Sequence, residues 1–395
     1  MAGVVDLVLG PQQDNEAHEK TTFRSKFGNY CQTELHLLRL TLPTGSTVND
    51  IESNLLAVIT QLKSSPNGSK KTLKQELEES QGDTAIDQAL ILNLGVRLLY
   101  MTACTYADVH SIVSGDIFRP EWNDEESPRT FIDRVYSRSI GFPQDTSSVR
   151  IYKFSAGYLT SNVEIQLKWT DKLSDHLLLL MGDSWKLLYI FKHPAFLKHG
   201  LEMLRQKSPT LNQSTSEAMA LGCLPPKLLQ ETLMTYKLLF PRAGDSSSRR
   251  VLEGEVKRQD LDPLFLRLSW LDAEQHNTFQ DALGLTDVKS LFQRYPHWGE
   301  RLYNIWKEVE DPTPITDVER WSEAKRNPRF TFWCTVVAVS LAIFFGVIAT
   351  LLAAVQVWIG YCSWDINADE GACKLRKPPQ PPVPTVVAIV NPGRI

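Results

Sequence analysis

The stretch from Phe330 to Gly360, FTFWCTVVAVSLAIFFGVIATLLAAVQVWIG, decides the architecture of this chain, because it contains no Asp, Glu, Lys, Arg or His. At a rise of about 1.5 Å per residue, a helix of this length exceeds the roughly 30 Å hydrocarbon thickness of a bilayer. A buried helix in a soluble core is the alternative, but it does not explain so long an uncharged run. We therefore predict one transmembrane helix, with the lipid bilayer as its partner.

The residues that flank this segment predict its ends and its orientation. Trp333 lies near the start and Trp358 near the end, where aromatic rings favour the headgroup region of a bilayer. Cations precede the segment, and the first charges after it are anions. Because cations favour the cytosolic side, we predict a cytosolic N-terminal body and a tail that crosses the membrane. The residues are Arg320, Lys325, Arg326 and Arg329 before the segment, then Asp365, Asp369 and Glu370. Lys374, Arg376 and Lys377 come later and weaken the bias.

One face of the segment carries a small residue at every fourth position. Small residues at this spacing let two helices approach closely, so the helix is a candidate for self-association. The alternative is that Ala and Gly are simply common in such helices. An association reporter carrying Gly346→Ile would separate the two interpretations. The residues are Ala338, Ala342, Gly346, Thr350 and Ala354.

Composition limits the class of protein to which the remainder belongs. The 395 residues are 43% hydrophobic and 22% charged, which is typical of a globular body and not of a disordered polymer. The net charge is −4 and no long basic run is present, so composition does not suggest nucleic-acid binding. The N-terminus has neither the positive start nor the apolar core of a secretory signal.

Six scattered cysteines form no CxxC pair. Cys31, Cys104 and Cys223 precede the membrane segment and are predicted to be reduced thiols in the cytosol. Cys362 and Cys373 follow it. They would close a small loop in an oxidising lumen, and free thiols are the alternative.

The pattern along the chain predicts a fold that is mainly α with a small β element, as a soluble helical body plus a single C-terminal transmembrane helix. Gly, Pro and Ser clusters and changes in apolar spacing divide it into segments. The segments are a poorly defined N-terminal part (1–44), an α-rich body (45–242) with a β unit near 151–199, a linker (243–250), a helical membrane-proximal region (251–328), the transmembrane helix (330–360) and a proline-rich tail (365–395).

Apolar positions three and four residues apart predict the helices of the body. One runs from Val48 to Leu62. The apolar stretch from Ala85 to Ala107 is predicted to be a buried core helix and not a second span, because Arg97 within a membrane costs roughly 2.5–3.5 kcal/mol. Ser127 is predicted to cap a helix with Pro128 in its first position. Later helices are predicted in KLLQETLMTYKLLF and around Leu261 to Trp270, Thr286 to Arg294 and Trp298 to Val309.

In the region 151–199 the apolar residues follow the spacing of strands instead of the spacing of helices. Val163, Ile165, Leu167 and Trp169 alternate with polar residues, which predicts a half-buried strand, and WKLLYIF predicts a second strand. Between the two strands, LSDHLLLL predicts a short helix that Thr170-Asp171 would cap.

Several of these segments together resemble a widespread group of proteins of uncharacterised function from filamentous ascomycete fungi. The resemblance lies in LQETLMTYKLLFP, YPHWGERLYNIWKEVEDPTP, WTDKLSDHL, WKLLYIF and the junction ERWSEAKRNPRFTFW…FFGVIATLLAAVQVW. It covers most of residues 85–361 and is strongest at the junction. It implies an α-rich soluble body with one C-terminal membrane helix, and it transfers no catalytic residue. The tail after Trp364 does not match the group.

The short motifs of metalloproteases, nucleophile-elbow hydrolases, dinucleotide-binding proteins, phosphate-loop proteins and kinases are absent from the sequence. The densest titratable group lies in residues 171–199, and Asp and His are ligands that a divalent metal would take. Its spacing also fits helix capping, surface charge and one core histidine, so no metal, cofactor or catalytic residue is assigned. The group is Asp171, Asp175, His176, Asp183, His193 and His199.

Two further groups of residues, two cysteines and the aromatic residues of the C-terminal helices, each have a structural and a functional interpretation. Cys104 or Cys223 would form a nucleophile and base pair with a histidine only through the tertiary fold. The aromatic residues of the C-terminal helices would form a ligand cage, but the spacing in WGERLYNIW favours a helix packed on a core. These residues are Trp298, Tyr303, Trp306 and Trp321.

Anchoring without a catalytic motif leads to one functional hypothesis and one main alternative; a third possibility is that the helices self-assemble as a pore or signalling oligomer. The hypothesis is a single-pass membrane protein whose cytosolic body binds a protein partner as an adaptor. The alternative is a membrane-tethered enzyme with an active site assembled in residues 151–199. The sequence does not identify the membrane or the partner.

Overall fold

A computed structural model shows a mainly α-helical chain with one small sheet and one long apolar helix at its C-terminal end, which confirms the predicted fold class. The chain divides into two units. Residues 1–315 form the first, called the body, and residues 316–395 form the second. The structure describes residues 2–10, 18–41, 48–81, 87–104, 118–139, 141, 143–145, 147–241, 245–268, 285–313 and 328–364.

The helices of the body range from 5 to 24 residues in length. In chain order they are α1 (Ala2–Leu9), α2 (His18–Thr41), α3 (Val48–Ser64), α4 (Lys70–Gln81), α5 (Gln88–Tyr100), α6 (Pro128–Val135), α7 (Ala156–Asn162), α8 (Pro194–Lys207), α9 (Thr215–Ala220), α10 (Pro226–Leu239), α11 (Ser246–Gln259), α12 (Leu264–Leu268), α13 (Val288–Arg294) and α14 (Gly299–Glu310). Short 3-10 turns occupy Ile151–Phe154 and Leu173–Asp175.

Helix α5 is the central helix of the N-terminal half, because every one of its residues is buried. It contacts α2, α3 and α4. At Gly95 the backbones of α3 and α5 approach closely, since a Cβ atom there would lie 2.6 Å from Cγ1 of Val58. The prediction that the apolar stretch around Arg97 is a core helix is confirmed for Gln88–Tyr100.

A three-stranded sheet occupies the region in which two strands are predicted. Strand β1 (Ile165–Thr170) runs parallel to β3 (Lys186–Phe191), and β2 (Leu179–Met181) pairs antiparallel with the other edge of β3. Ile165 lies opposite Lys186, and Thr170 lies opposite Phe191. The carboxyl ends of β1 and β3 therefore meet at one edge of the sheet.

The helix predicted in LSDHLLLL is wrong. The segment forms the 3-10 turn Leu173–Asp175 and then β2. Leu177 has a φ of 59°, a left-handed conformation that ends any right-handed helix. Its N–H donates to the carbonyl of Tyr189 at 2.8 Å, so pairing with β3 replaces the helical hydrogen bonds.

The start of α6 confirms the predicted cap. The Ser127 hydroxyl accepts the N–H of Thr130 at 3.2 Å, and the Thr130 hydroxyl accepts the N–H of Ser127 at 2.9 Å. Pro128 occupies the first helical position, where its missing N–H costs nothing.

Two boundaries differ from the sequence-based expectation. The segment 1–44, expected to be poorly defined, contains α1 and α2, whose apolar side chains belong to the buried core. The expected linker 243–250 contains the start of α11, which Asp245 caps by accepting the N–H groups of Ser247 and Ser248. Ser248 is fully buried and its hydroxyl accepts the N–H of Gly157 at 2.7 Å, so these serines connect two helices.

The second unit contains α15 (Pro328–Trp364), which includes the segment predicted to span a membrane. Its apolar portion runs from Thr335 to Ser363, 29 residues, and an 18-residue window within it has a mean hydropathy of 2.7 and no buried residue. This is long and apolar enough to cross a bilayer. The proline-rich tail 365–395 lies outside the described residues.

Two glycine-to-alanine substitutions test the close approach of α3 and α5. Gly95→Ala places a methyl group against Val58 and should lower the free energy of unfolding by about 1–3 kcal/mol. Gly254→Ala, at an exposed position in α11 where a Cβ meets nothing within 4 Å, should raise it by about 0.5–1 kcal/mol. Denaturant unfolding of the full-length protein in detergent measures both. Equal effects from the two substitutions would contradict the packing described here.

Candidate functional site

The sheet brings together Asp171 and His193, two of the titratable residues that the sequence singles out. Asp171 follows β1 and His193 follows β3, so both lie at the edge where the two parallel strands end. The Asp171 Oδ1 atom lies 2.6 Å from Nε2 of His193 and 3.0 Å from Nζ of Lys192. Burial alone would raise the pKa of Asp171, but His193 and Lys192 outweigh it and hold this pKa well below its usual range.

Asp175 and His176 have structural partners. The Asp175 carboxylate accepts the N–H of Phe118 at 3.1 Å. In His176, Nδ1 accepts the N–H of Phe191 at 3.2 Å, so the ring proton is on Nε2, which donates to the Thr235 hydroxyl at 2.7 Å. Burial, reinforced by the charge of Arg301, lowers the pKa of His176 well below its usual value. The ring is therefore neutral near pH 7 and holds α10 against the sheet.

Asp183 and His199 lie at other places in the body. Asp183 is exposed in the loop between β2 and β3. His199 is in α8, with its ring 6.0 Å from the ring of Phe23 in α2. Among the residues that the structure describes, no group of three Asp, Glu, His or Cys side chains is arranged to hold a metal ion. The six residues of the sequence-based group thus yield one close pair, Asp171 and His193.

The densest buried charge in the described part of the body is a carboxylate that two cations share. Glu34 of α2 accepts a hydrogen bond from Nε of Arg97 in α5 at 2.8 Å, and it also binds Nζ of Lys172, which follows β1. The side chains of Glu34, Arg97 and Lys172 are 2%, 0% and 7% exposed, so solvent hardly screens these charges. Burial alone would raise the pKa of Glu34, but the two cations lower it, and the carboxylate is ionised.

Neighbouring polar atoms hold this cluster, called the Glu34 cluster, in place. The Tyr30 hydroxyl donates to the carbonyl oxygen of Arg97 at 2.9 Å. The ammonium of Lys172 lies 5.7 Å from the centre of the Tyr30 ring. Sequence reasoning noted Arg97 but missed Glu34. The available signal was the spacing of Phe27, Cys31, Leu35 and Leu38, an apolar helical stripe beside which Glu34 is also buried.

A second buried carboxyl group, Glu231 of α10, caps the start of α14. Its Oε1 atom accepts the N–H groups of His297 at 2.8 Å and Trp298 at 2.7 Å. Burial raises the pKa of Glu231 to about 8, although the two N–H groups act in the opposite direction. The group therefore titrates near neutral pH inside the fold.

One shallow cleft of the body contains a cysteine and a histidine, Cys223 and His199. Val8, Phe196, Met203 and other apolar residues complete its lining, and the space between them holds about one water molecule. Burial raises the pKa of the Cys223 thiol to about 12, so the thiolate that nucleophilic chemistry needs is not formed near pH 7. Cys104 donates from its thiol to the Asn93 side chain at 3.4 Å.

The aromatic residues of α14 belong to the core. Trp298, Tyr303 and Trp306 are at most 9% exposed. The indole N–H of Trp298 donates to the Thr232 hydroxyl at 2.9 Å, and its ring packs edge-on against that of Tyr136. The prediction of a helix packed on a core is confirmed for these three residues, and Trp321 lies outside the described residues.

Most of the large apolar side chains that are exposed among the described residues belong to α15. Ala338, Ala342 and Gly346 are exposed, and a Cβ atom at Gly346 would meet nothing within 4 Å. Their role in self-association stays a prediction. Near the C-terminal end of the apolar portion, Cys362 is disulfide-bonded, and Cys373 lies outside the described residues.

Comparison with protein-family models, with curated proteins and with solved structures found no match to this chain. The resemblance to fungal proteins therefore stays an expectation, and the functional argument depends on the chain's own residues.

Replacing Glu34 with Gln tests the Glu34 cluster. The substitution keeps the shape of the side chain but removes the charge that Arg97 and Lys172 share, so the free energy of unfolding should fall by about 3–5 kcal/mol. The control Glu79→Gln, at an exposed position of α4, should change it by no more than about 0.5 kcal/mol. Denaturant unfolding followed by tryptophan fluorescence measures both, and equal values for the two variants would contradict the role given to Glu34.

The raised pKa of Glu231 predicts a pH-dependent stability. The pKa in the folded state, about 8, exceeds the reference value of 4.5, so folding binds a proton between these pH values. The free energy of unfolding should fall as the pH rises from 4.5 through 8, by at most about 1.4 kcal/mol per pH unit from this residue. In Glu231→Gln, whose side-chain oxygen can still accept both N–H groups, this contribution should disappear. Parallel pH dependence in the two proteins would show that Glu231 does not titrate in this range.

Proposed function

We propose that this protein is a single-pass membrane protein whose C-terminal helix spans a bilayer and whose body acts beside that membrane. The observation that carries the proposal is the apolar portion of α15, Thr335–Ser363, in which an 18-residue window has a mean hydropathy of 2.7 and no buried residue. Its length of about 44 Å exceeds the roughly 30 Å of hydrocarbon in a bilayer. A surface this long and apolar is stable within lipid and unstable in water.

The charges on either side of the helix favour a cytosolic body. Four cations precede the segment within ten residues of Phe330, whereas the three that follow it, Lys374, Arg376 and Lys377, lie farther from its end. The disulfide at Cys362 favours the same orientation, because disulfides persist in oxidising compartments and not in the cytosol. We propose that the tail faces the lumen or the cell exterior.

For the body we propose a role as an adaptor that binds a protein partner. The titratable residues of the 151–199 region support this choice over catalysis, because most of those that are buried serve the fold. His176 joins the sheet to α10, Asp175 accepts the N–H of Phe118, and Lys172 belongs to the Glu34 cluster. A protein partner is favoured over nucleic acid, since the net charge is −4.

A membrane-tethered enzyme is the second candidate, and the Asp171–His193 pair is the observation that favours it. Asp171 is 34% exposed and lies 2.6 Å from His193, which is within reach for general acid–base chemistry. A turnover that Asp171→Asn abolishes while the fold is retained would favour the enzyme. Specific capture of a partner by the full-length protein, unchanged in Asp171→Asn, would favour the adaptor.

Protease protection and alkaline extraction test the anchoring and the orientation. The full-length protein carries one epitope tag at each end and is assayed in sealed vesicles whose cytosolic face is outside. We expect protease to remove the N-terminal tag and to leave the C-terminal tag intact until detergent is added. We also expect the protein to stay with the vesicles in alkaline carbonate.

Each outcome of this experiment addresses a separate part of the proposal. Release of the protein by carbonate would refute a spanning helix. Retention with a protected N-terminal tag would keep the anchor and reverse the orientation. A control with Gly346 and Leu351 replaced by Arg, which places two charges in the middle of the segment, should lose its membrane retention.

A further inference from the structure

Three large apolar side chains are exposed among the described residues of the body: Tyr152, Met181 and Trp185. Their exposed fractions are 57%, 55% and 40%. Isolated exposed apolar residues need no explanation, but a group at one end of a body that is attached to a membrane does. We call these three residues the exit patch, because each lies beside the point at which the chain leaves the body.

Two of the three residues lie at the tip of the β2–β3 hairpin. The N–H of Gly182 donates to the carbonyl of Trp185 at 2.9 Å and closes the loop. The Trp185 indole packs over Gly182, where a Cβ atom would lie 2.4 Å from the ring. The glycine thus lets the indole lie across the hairpin tip.

The hairpin tip lies next to the last described residues of the body. The Thr313 hydroxyl lies 3.8 Å from the sulfur of Met181. Glu308 binds Thr313 through both carboxylate oxygens, at 2.8 Å to its N–H and 2.7 Å to its hydroxyl. The same carboxylate pairs with Lys186 of β3 at 2.6 Å, and both side chains are buried. This pairing fixes the hairpin to the C-terminal end of α14.

Tyr152 flanks the same end of α14 from another element. It belongs to the 3-10 turn Ile151–Phe154, which contacts α14. Its neighbour Lys153 binds Glu310 at 2.7 Å, and the ring of Phe154 lies 5.8 Å from that of Trp306. Tyr152 itself rests edge-on against Tyr158 and leaves more than half of its surface in solvent.

The length of chain beyond this point brings the exit patch within reach of the membrane. Fifteen residue steps separate Thr313 from Pro328, where α15 begins, and they span at most about 50 Å when fully extended. The apolar portion of α15 starts seven residues later, at Thr335. Any less extended path brings the C-terminal end of α14 closer to the bilayer surface.

We propose that the exit patch is a second, shallow membrane contact, in which Tyr152, Met181 and Trp185 enter the headgroup region of the bilayer that α15 spans. This inference rests on the proposed function. Trp and Tyr favour this region because one part of each ring is apolar and the other binds water. The contact would hold the body in one orientation on the membrane instead of leaving it free on its connection.

The charges around the exit patch indicate whether the contact depends on attraction to anionic headgroups or on insertion of apolar side chains. Charges of both signs surround the patch: Asp183 and Asp311 are exposed and acidic, Glu310 is paired with Lys153, and the exposed Arg150 bonds Tyr152. These charges offer no basic surface that would attract anionic headgroups. The contact therefore depends on apolar insertion. It should form on zwitterionic phosphatidylcholine and resist salt.

A fluorophore at the exit patch tests this contact in the full-length protein. Cys334 is replaced by Ala and Cys362 and Cys373 by Ser, which leaves the buried Cys31, Cys104 and Cys223. One new cysteine, Met181→Cys or Tyr152→Cys, is labelled with an environment-sensitive dye. Glu79→Cys, at an exposed position of α4 with no contact to α14 or the hairpin, is the matched control. The proteins are reconstituted into phosphatidylcholine vesicles that contain a nitroxide on the lipid headgroup.

We expect blue-shifted emission and loss of intensity by nitroxide quenching at positions 181 and 152, and neither effect at position 79. High salt should leave the quenching unchanged. Quenching at 181 should also weaken when Trp185→Ser is added, because the neighbouring indole then no longer enters the headgroup region. Circular dichroism of each labelled protein confirms that the body remains folded.

The alternative outcomes overturn the proposal in distinguishable ways. If the protein floats with the vesicles while labels at 181 and 152 behave like the one at 79, the anchor stands and the exit-patch contact is wrong. If the protein does not float, the proposed function itself fails. If the emission of the dye at position 181 shifts to the blue only in native membranes, the patch would belong to a protein partner. If it shifts only at high protein density, the patch would belong to a second copy of the chain.

Discussion

The interaction on which the body depends is the sharing of one buried carboxylate, Glu34, by Arg97 and Lys172. The three residues come from α2, from α5 and from the turn after β1, so a single ionic cluster joins the N-terminal helices to the sheet. Buried charges are stable only when they are paired and hydrogen-bonded, because transfer out of water is costly for each of them. The cluster therefore specifies one packing arrangement and penalises others in which any of its members lacks a partner.

The same principle operates at the opposite side of the sheet. Lys186 at the start of β3 pairs with Glu308 of α14, and Glu308 also binds Thr313. At the carboxyl end of β3, His176 and Tyr236 bond to the backbone of Phe191. The small sheet thus acts as a connector that holds helices from distant parts of the chain. This explains why a region rich in Asp and His, which resembles a metal or catalytic site in sequence, serves mainly to hold the fold.

The end of the body that precedes α15 bears on the membrane anchor that we propose. The body is connected rigidly up to Thr313, because Glu308 fixes the last turn of α14 and the residues after it. Exposed apolar residues of two separate elements flank that point, whereas the other described residues of the body include no large apolar side chain that is exposed to this extent. We propose that this exposed apolar surface is the side of the body that approaches lipid.

The sequence by itself determined the elements whose cause is local. The uncharged run in α15, the apolar spacing of α3 and α5, the Ser127 cap and the alternation in β1 are each encoded by a few consecutive residues. Only the tertiary structure decided the rest. The LSDHLLLL segment pairs with β3 instead of forming a helix, Ser248 of the expected linker is buried, and Glu34 meets residues 63 and 138 positions away. These outcomes depend on partners that are distant along the chain, and local periodicity contains no information about which distant residue will supply a hydrogen bond or a counter-charge.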